Sequence, residues 1–222
     1  MTEDGSTTVF DEELHQTFHS VHGAVAESKH VFIAAALDYY SSRHNGEINI
    51  LEAGFGTGLN ALLALEWARR KQRRIRYHTV EKFPLDAALS RKLSFWPPLE
   101  DDMVSPDDFR ALHLARWEED VLVDESFSLR KIKADIGGMI LPDDFYDVVF
   151  FDAFSPDKQE ALWSIGVFKT LYKSMRYSSV LTTYSVKGDV KRALKAAGFS
   201  IEKLPGPKGK REILRAEKVL PA

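Results

Sequence analysis

The 222-residue sequence contains no cysteine. The protein therefore forms no disulfide, has no cysteine-ligated zinc site and cannot use a thiolate as a nucleophile. It also lacks an apolar run long enough to span a bilayer, and its polar, acidic start (MTEDGSTTVFDEE) differs from a signal peptide. Together with an apolar content of 44%, these absences predict a globular cytoplasmic protein with no membrane partner.

Charge is distributed unevenly along the chain, although the net charge is only −3. Residues 97–125 contain ten acids and two arginines, whereas residues 176–222 contain eleven lysines and arginines and four acids. The ordinary interpretation of such runs is a solvated surface. A basic end also suits contact with a polyanion such as a nucleic acid.

Strand patterns alternate with helical patterns along most of the chain. The predicted strands cover 48–53, 74–81, 127–135, 146–154 and 178–183, and residues 200–218 form a hairpin. The predicted helices cover 28–41, 59–70, a stretch from about 84, 158–174 and 187–197. This order predicts an α/β fold with a Rossmann-like, doubly wound, mostly parallel sheet of seven strands that ends in an antiparallel hairpin.

The chain divides into two parts by the same patterns. Residues 1–45 are predicted to form an N-terminal segment and helix, and residues 46–222 the main domain. Within that domain, the acidic stretch 97–125 is predicted to be an insertion made of a loop and a short helix. No internal repeat or low-complexity tract interrupts this organisation.

A glycine-rich turn follows the first predicted strand of the main domain. In "ILEAGFGTGLNALLA", Gly54, Gly56 and Gly58 alternate after the acidic Glu52. Glycine lets the backbone approach a ligand closely. Glu81, which ends the next strand, is well placed for the hydroxyls of a ribose. Dinucleotide sites and S-adenosyl-L-methionine sites share both features.

The spacing and charge of this turn separate the two ligands. A dinucleotide turn reads G-x-G-x-x-G, whereas this chain reads G-x-G-x-G, and no G-K-[ST] sequence follows that would form a P-loop. Glu52 and Asp152, which ends a later strand, would repel a pyrophosphate and attract the sulfonium and ammonium groups of S-adenosyl-L-methionine. The sequence favours that cofactor, with an NAD-dependent oxidoreductase as the rival interpretation.

The stretch "FFDAFSP" is the candidate reaction site. It brings Asp152, Phe154 and Pro156 to the end of a buried strand, beside the expected methyl donor. A carboxylate can orient an amine and take up its proton, and an aromatic face can hold a flat base. The alternative is that Asp152 caps the next helix. Because methylation of carbon 5 of a pyrimidine needs a thiolate, which this chain lacks, transfer to nitrogen is favoured.

Four segments together resemble the methyltransferase domain of the MnmC family: "LEAGFGTGLN", "VEKFPL", "FFDAFSP" with a later Leu-Trp-Ser, and "AAGF" followed by "KREIL". The upstream "FHSVHGAVAESKHVF" is also similar. The resemblance implies a class I methyltransferase fold and transfer of a methyl group to the 5-aminomethyl group of the tRNA wobble (2-thio)uridine. It further implies a functional link to the enzymes that make this precursor. Because the chain ends at Ala222, it resembles the form without the family's oxidase domain.

The resemblance also assigns roles to individual residues. Asp152 matches the aspartate that faces the acceptor amine, and Asp135 matches, less closely, the acid near the adenine. The other positions matched to donor binding are Glu52, Gly54, Gly56, Gly58, Asn60, Glu81 and Lys82. This chain departs from the family at Ala161, where a proline is usual, and in the loop "GPKGKRE".

The predicted substrate side consists of Phe154 and Pro156 together with basic hairpin residues, which would contact phosphates of the tRNA anticodon loop. Those basic residues are Lys208, Lys210 and Arg211. No metal is expected, because His15, His19 and His22 lack a completing ligand set; His19 and His22 are instead expected at the substrate mouth. A small-molecule or protein amine as acceptor, and a non-catalytic nucleic-acid-binding module, remain the alternatives.

Overall fold

The computed structural model describes residues 1–96, 98–99 and 103–220. Their strands are β1 (Phe10–Asp11), β2 (Gln16–Thr17), β3 (Ile48–Ala53), β4 (Ile75–Val80), β5 (Asp120–Asp124), β6 (Phe127–Ile132), β7 (Tyr146–Phe151), β8 (Met175–Thr183), β9 (Ser200–Pro205) and β10 (Glu212–Glu217). The α-helices are α1 (Ala24–Ser28), α2 (Tyr39–Ser41), α3 (Leu59–Lys71), α4 (Ala87–Ser90), α5 (Pro106–Leu114), α6 (Ile165–Ser174) and α7 (Gly188–Ala197).

Eight of the strands form one sheet in the order β5-β6-β4-β3-β7-β8-β10-β9. The central strands β6, β4, β3, β7 and β8 run parallel, and β10 is antiparallel to both β8 and β9. Every residue of β3 and β7 is buried, as expected for strands covered on both faces. The predicted fold class, including the C-terminal hairpin, is confirmed.

An eighth strand of this sheet comes from the acidic segment. Strand β5 pairs with β6 in antiparallel fashion at the sheet edge. Its Val121 and Val123 pack against the core, while Leu122 between them faces outward. The predicted short helix is present as α5, but the predicted loop after it is partly a strand. The acids on both sides of the short apolar run Val121–Val123 hid this strand. Residues 97 and 100–102 of this segment lie outside the described residues.

A continuous helical segment from the N-terminal part covers one face of the sheet. It runs through α1, a π-helical stretch (Lys29–Asp38) and α2, and so begins four residues before the predicted start. Its Phe32 ring lies 5.3 Å from Phe150 of β7. Because this segment is pinned to the sheet core, it fixes the position of the residues that precede it.

The starts of three further elements differ from the sequence prediction by two or more residues. The helix expected from about Pro84 begins at Ala87, where the Asp86 side chain accepts a hydrogen bond from the Ala88 N–H. The helix expected from Lys158 begins as a 3₁₀ turn (Glu160–Trp163), and α6 follows. Strand β8 begins at Met175, three residues before the predicted start. Each shift moves an end of an element and leaves the order unchanged.

Candidate active site

The carboxyl ends of β3, β4, β6 and β7 meet at one edge of the sheet around a cavity of about 670 Å³. This is where ligands bind in open, doubly wound sheets. The N-terminal residues around β2 and α1 cover the cavity from the other side, and Tyr184 and Lys210 complete its wall. The volume is within the usual range for a small-molecule or cofactor pocket.

The glycine turn forms the floor of this cavity. Gly54 has a φ of +97°, and a Cβ at this position would lie 3.1 Å from the backbone oxygen of Asp152. Gly56 has a φ of +49°, and a Cβ there would lie 3.1 Å from the Phe18 ring. A side chain at either position would be strained and would narrow the space left for a ligand. Gly58 precedes α3 and does not line the cavity.

Glu81 is held rigidly beside this turn. One carboxylate oxygen accepts the Gly56 N–H at 3.0 Å, and the other accepts the Phe83 N–H at 2.8 Å. Burial raises the pKa of Glu81, and hydrogen bonds from the backbone partly oppose that effect. Because a carboxylate can accept about four hydrogen bonds, each oxygen keeps a lone pair for a ligand hydroxyl.

Lys82 and Asp135, which were also predicted to bind the cofactor, form an ion pair with each other. The Lys82 ammonium lies 2.8 Å from a carboxylate oxygen of Asp135, and the other Asp135 oxygen accepts the Gly137 N–H at 2.9 Å. The hydrogen bond from Lys82 is the main reason that the pKa of Asp135 is lowered. Both side chains line the cavity beyond Glu81.

Asp152 lines the opposite part of the cavity. Its carboxylate accepts a hydrogen bond of 2.7 Å from the Asn60 side-chain amide. Removal from water raises the pKa of Asp152 to about 7. The backbone N–H groups that a capping aspartate would bind are taken by Gln159, at Phe154, and by Gln16, at Ser155. The geometry therefore favours a cavity-facing acid over the helix cap considered from the sequence.

Glu52 lies beneath the turn and does not line the cavity. It is fully buried, and neither of its oxygens meets the geometry of a hydrogen bond to another described residue. Burial raises the pKa of Glu52 well above its ordinary value, and the nearby charge of Asp152 adds to this effect. The expectation that Glu52 faces the donor does not match this location.

The part of the cavity next to Asp152 is aromatic. The Phe154 ring packs edge-to-face on Phe18, with centroids 4.8 Å apart. The Tyr184 hydroxyl donates to the Ala153 carbonyl at 2.9 Å, and the Lys210 ammonium lies 3.9 Å from the Tyr184 ring centroid. A flat group entering here meets aromatic walls next to Asp152.

The remaining predicted substrate residues lie outside the cavity lining. Pro156 is half-buried beyond its rim, and Arg211 is exposed on the hairpin loop. Lys208 is also exposed, and its ammonium lies 2.7 Å from Glu3. Among the three hairpin cations, Lys210 is the one that reaches the cavity.

The N-terminal histidines have separate locations. His19 is buried and shares a hydrogen bond of 2.6 Å with the Thr57 hydroxyl, so it ties this segment to the glycine turn. Burial lowers the pKa of His19 to about 4. His22 lies on the surface, 2.8 Å from Glu3. Within the described ranges, no group of three or more histidine, aspartate or glutamate side chains is arranged to hold a metal ion.

His19 lines the cavity, as expected for the substrate mouth, and His22 does not, but sequence reasoning missed other residues of the N-terminal segment. Gln16, Phe18 and Glu27 all line the cavity. The one available signal was an acid, Glu27, in the otherwise apolar stretch "GAVAES". Nothing local shows that this stretch packs over a turn some 30 residues further on.

The charge of the cavity lining fits S-adenosyl-L-methionine better than a dinucleotide. Both lining lysines, Lys82 and Lys210, are paired with carboxylates. The acids that line the cavity are Asp11, Glu13, Glu27, Glu81, Asp135 and Asp152. This excess of acid favours a cationic ligand and disfavours a pyrophosphate.

Comparisons with known proteins point to the same cofactor. Residues 111–219 match a family described as S-adenosyl-L-methionine-dependent methyltransferase. The chain is 31% identical over 219 residues to the tRNA 5-methylaminomethyl-2-thiouridine biosynthesis bifunctional protein MnmC of Cupriavidus metallidurans, covering 93% of this chain and 32% of that protein. The MnmC of Pseudomonas paraeruginosa is 33% identical over 209 residues, covering 89% and 31%. The chain thus spans about a third of the length of these curated relatives.

A solved structure shows the same architecture. MnmC2 from Aquifex aeolicus superimposes with a TM-score of 0.75 at 25% identity, covering 100% of this chain and 71% of that one. Spermidine synthase from Thermotoga maritima shares the fold alone, with a TM-score of 0.59 at 12% identity.

The fold, the acidic cavity and these matches make the chain an S-adenosyl-L-methionine-dependent methyltransferase. Within that class, it matches the methyltransferase part of MnmC. In the described part of the chain, no helix is both long and apolar enough to cross a bilayer.

Proposed function

We propose that this protein transfers a methyl group to the primary amine of a 5-aminomethyl group on the wobble (2-thio)uridine of tRNA. The observation that carries the proposal is the position of Asp152, which faces a cavity with aromatic walls and has a pKa raised to about 7. The choice of tRNA as the acceptor rests on the names of the MnmC relatives.

Donor binding is assigned to the turn and the acids around it. Glu81 would accept the ribose hydroxyls with its remaining lone pairs, and Gly54 and Gly56 would let the donor lie close to the backbone. Asp135, steadied by Lys82, would face the adenine. When bound, S-adenosyl-L-methionine supplies a methyl group on a positively charged sulfur.

Asp152 is the residue that we expect to bind the acceptor amine. Its carboxylate would accept a hydrogen bond from the amine and so align the nitrogen lone pair with the bond to be broken. Asn60 holds that carboxylate in place through the 2.7 Å hydrogen bond. With a pKa near neutrality, Asp152 can take up the proton that the amine releases on methylation.

We expect the uridine base and the RNA phosphates to bind to two separate surfaces of the protein. Phe154 would pack against the unstacked uridine. Exposed Lys208 and Arg211, on the loop that also carries Lys210, would contact phosphates without reading sequence. A tRNA substrate implies a cytoplasmic location and a functional link to the enzyme that makes the aminomethyl precursor.

Two substitutions with opposite effects test the two halves of the site. We expect Asp152→Ala to leave S-adenosyl-L-methionine affinity within about threefold of wild type while turnover falls by 10²-fold or more, as for loss of a proton-accepting group. Glu81→Ala should weaken donor affinity by about tenfold or more. Calorimetric titration with S-adenosylhomocysteine and a methyl-transfer assay on aminomethyl-containing tRNA measure the two quantities.

Parallel loss of binding and turnover in Asp152→Ala would reassign this residue to donor binding or folding. Unchanged donor binding in Glu81→Ala would remove Glu81 from the donor site. Mass spectrometry of tRNA nucleosides from cells with and without the gene tests the acceptor. An unchanged 5-methylaminomethyl-(2-thio)uridine level would contradict the tRNA assignment.

A further inference from the structure

A charge pair closes the acceptor side of the cavity, and the proposed mechanism gives it no role. Glu27, in α1, and Lys210, between β9 and β10, lie 183 positions apart in the chain, and their charged atoms are 2.5 Å apart. The Glu27 side chain is only 13% exposed and that of Lys210 is 31% exposed. Pairs this sheltered from water are screened less by salt than surface pairs.

Both members of this pair are held from a second side. The other carboxylate oxygen of Glu27 accepts the Ser20 N–H at 3.0 Å. The Lys210 ammonium lies over the Tyr184 ring, and the Tyr184 hydroxyl in turn binds the carbonyl of Ala153, the neighbour of Asp152. Glu27, Lys210 and Tyr184 therefore form a continuous wall that ends beside Asp152.

Glu27 and Lys210 act on Asp152 with opposite signs. The negative charge of Glu27 raises the pKa of Asp152, and the positive charge of Lys210 lowers it. The titratable or charged groups that interact with Asp152 are Glu27, Glu52, Tyr77, Tyr184 and Lys210. Of these, Glu52 and Tyr77 are fully buried and do not line the cavity, whereas Glu27 and Lys210 belong to its lining, together with Asp11 and Glu13.

We propose that Glu27 is a positioning residue for methyl transfer, which holds Lys210 against Tyr184 and so keeps the ammonium from pairing with Asp152. The inference rests on the proposed function, because Asp152 must stay free to bind the acceptor amine. Without Glu27, Lys210 loses its carboxylate partner, and Asp152 is a lining carboxylate on which the Lys210 charge already acts. A lysine that binds Asp152 competes with an amine for the same oxygens.

The test compares Glu27→Gln, Lys210→Gln and the double variant. Glu27→Gln should raise KM for the aminomethyl tRNA by about tenfold and move the midpoint of the rising limb of kcat/KM against pH to lower pH by about 0.5–1 unit. Lys210→Gln should move this midpoint to higher pH, and the double variant should return it toward that of wild type. Glu27→Asp keeps the charge and should stay close to the wild-type midpoint.

Lys203→Gln is the matched control. Lys203 lies on the same hairpin and pairs with Glu212 at 2.9 Å, on the surface away from the cavity. Its removal should leave both KM and the midpoint unchanged. Equal losses of activity in the Glu27 and Lys210 variants, with no movement of the midpoint, would show a merely structural pair and overturn the inference.

A readout independent of turnover separates this inference from the proposed function. Carbon-13 NMR titration of the Asp152 carboxyl in the free protein should show the same opposite shifts of its pKa in the two single variants. If wild type fails to methylate aminomethyl tRNA but the NMR shifts are seen, the acceptor assignment fails and the action of the pair on Asp152 stands. Absence of these shifts in a protein that does methylate this tRNA would refute the role of Glu27.

Discussion

Three carboxylates near the glycine turn differ in how many hydrogen bonds they accept. Glu81 accepts two from backbone N–H groups, and Asp152 accepts one from Asn60. Glu52 has polar side chains of Thr79, Asn60 and Tyr77 close by, but none of them makes a hydrogen bond of ordinary geometry to it. Burial raises the pKa of all three. Hydrogen bonds to the charged form oppose burial, so the local donors give these chemically similar side chains different surroundings, which fits the different roles that we propose for Glu81 and Asp152.

The raised pKa of Asp152 has a consequence for stability. An acid with a folded-state pKa of about 7, above its unfolded value, makes the protein progressively less stable as pH rises through this interval. Asp152→Asn removes the ionisation and can keep the bond from Asn60. We therefore expect the variant to be more stable than wild type at pH 8 and to lose this advantage at pH 4.

Urea denaturation at the two pH values measures the effect. The difference in unfolding free energy between variant and wild type should be larger at pH 8. A difference that is the same at pH 4 and pH 8 would contradict a raised pKa for Asp152.

One arginine of α3 contacts three parts of the acidic segment. The Arg69 guanidinium binds Asp124 of β5 at 2.7 Å, Asp108 of α5 at 2.8 Å and the Met103 carbonyl at 2.9 Å. These bonds lower the pKa of both aspartates against the opposing effect of burial. Two of the acids in this segment therefore help to hold it against α3.

Replacing this arginine should loosen the added strand. We expect Arg69→Met to destabilise the protein by about 1–3 kcal/mol, since two partly buried carboxylates lose their partner. Arg116→Met is the control, because Arg116 is exposed and lies 3.6 Å from the exposed Glu119; its effect should stay below about 0.5 kcal/mol. Urea denaturation gives both values, and equal effects would show that Arg69 does not anchor the segment.

Across the whole molecule, the uneven charge of the chain maps onto opposite edges of one sheet. Strand β5, from the acidic segment, forms one edge, and β9 of the basic hairpin forms the other. The cavity opens between these edges, at the ends of the central strands. A polyanion is therefore attracted to the hairpin side and repelled from the other.

This arrangement predicts the salt dependence of RNA binding. The double variant Lys208→Gln, Arg211→Gln should bind tRNA more weakly and reduce the slope of log affinity against log salt by about one to two. Arg130→Gln, which removes a cation beside β5, should leave that slope unchanged. Filter binding across a salt series measures it, and equal slopes in wild type and the double variant would exclude the hairpin from phosphate contact.

The order of the elements and the central residues of the cavity could be predicted from the chain because their causes are local. Apolar runs mark buried strands, and parallel strands bring their carboxyl ends to one edge. Four residues directly follow such strands: Gly54, Glu81, Asp135 and Asp152. Their proximity could therefore be predicted without knowing how distant parts of the chain pack. The extra strand β5 escaped prediction because its apolar run, Val121–Val123, is only three residues long and is flanked by acids.

The second wall of the cavity depended on contacts between distant parts of the chain. Glu27 meets Lys210 because the helical segment from α1 to α2 packs on the sheet while the β9–β10 loop returns over it. Glu52 is the opposite case, in which packing removes a predicted ligand contact. Its position beside the glycines suggested that it contacts a ligand, but its side chain in β3 is buried in the interior. Which way a side chain faces, and what it meets there, follows from packing between elements that sequence spacing does not encode.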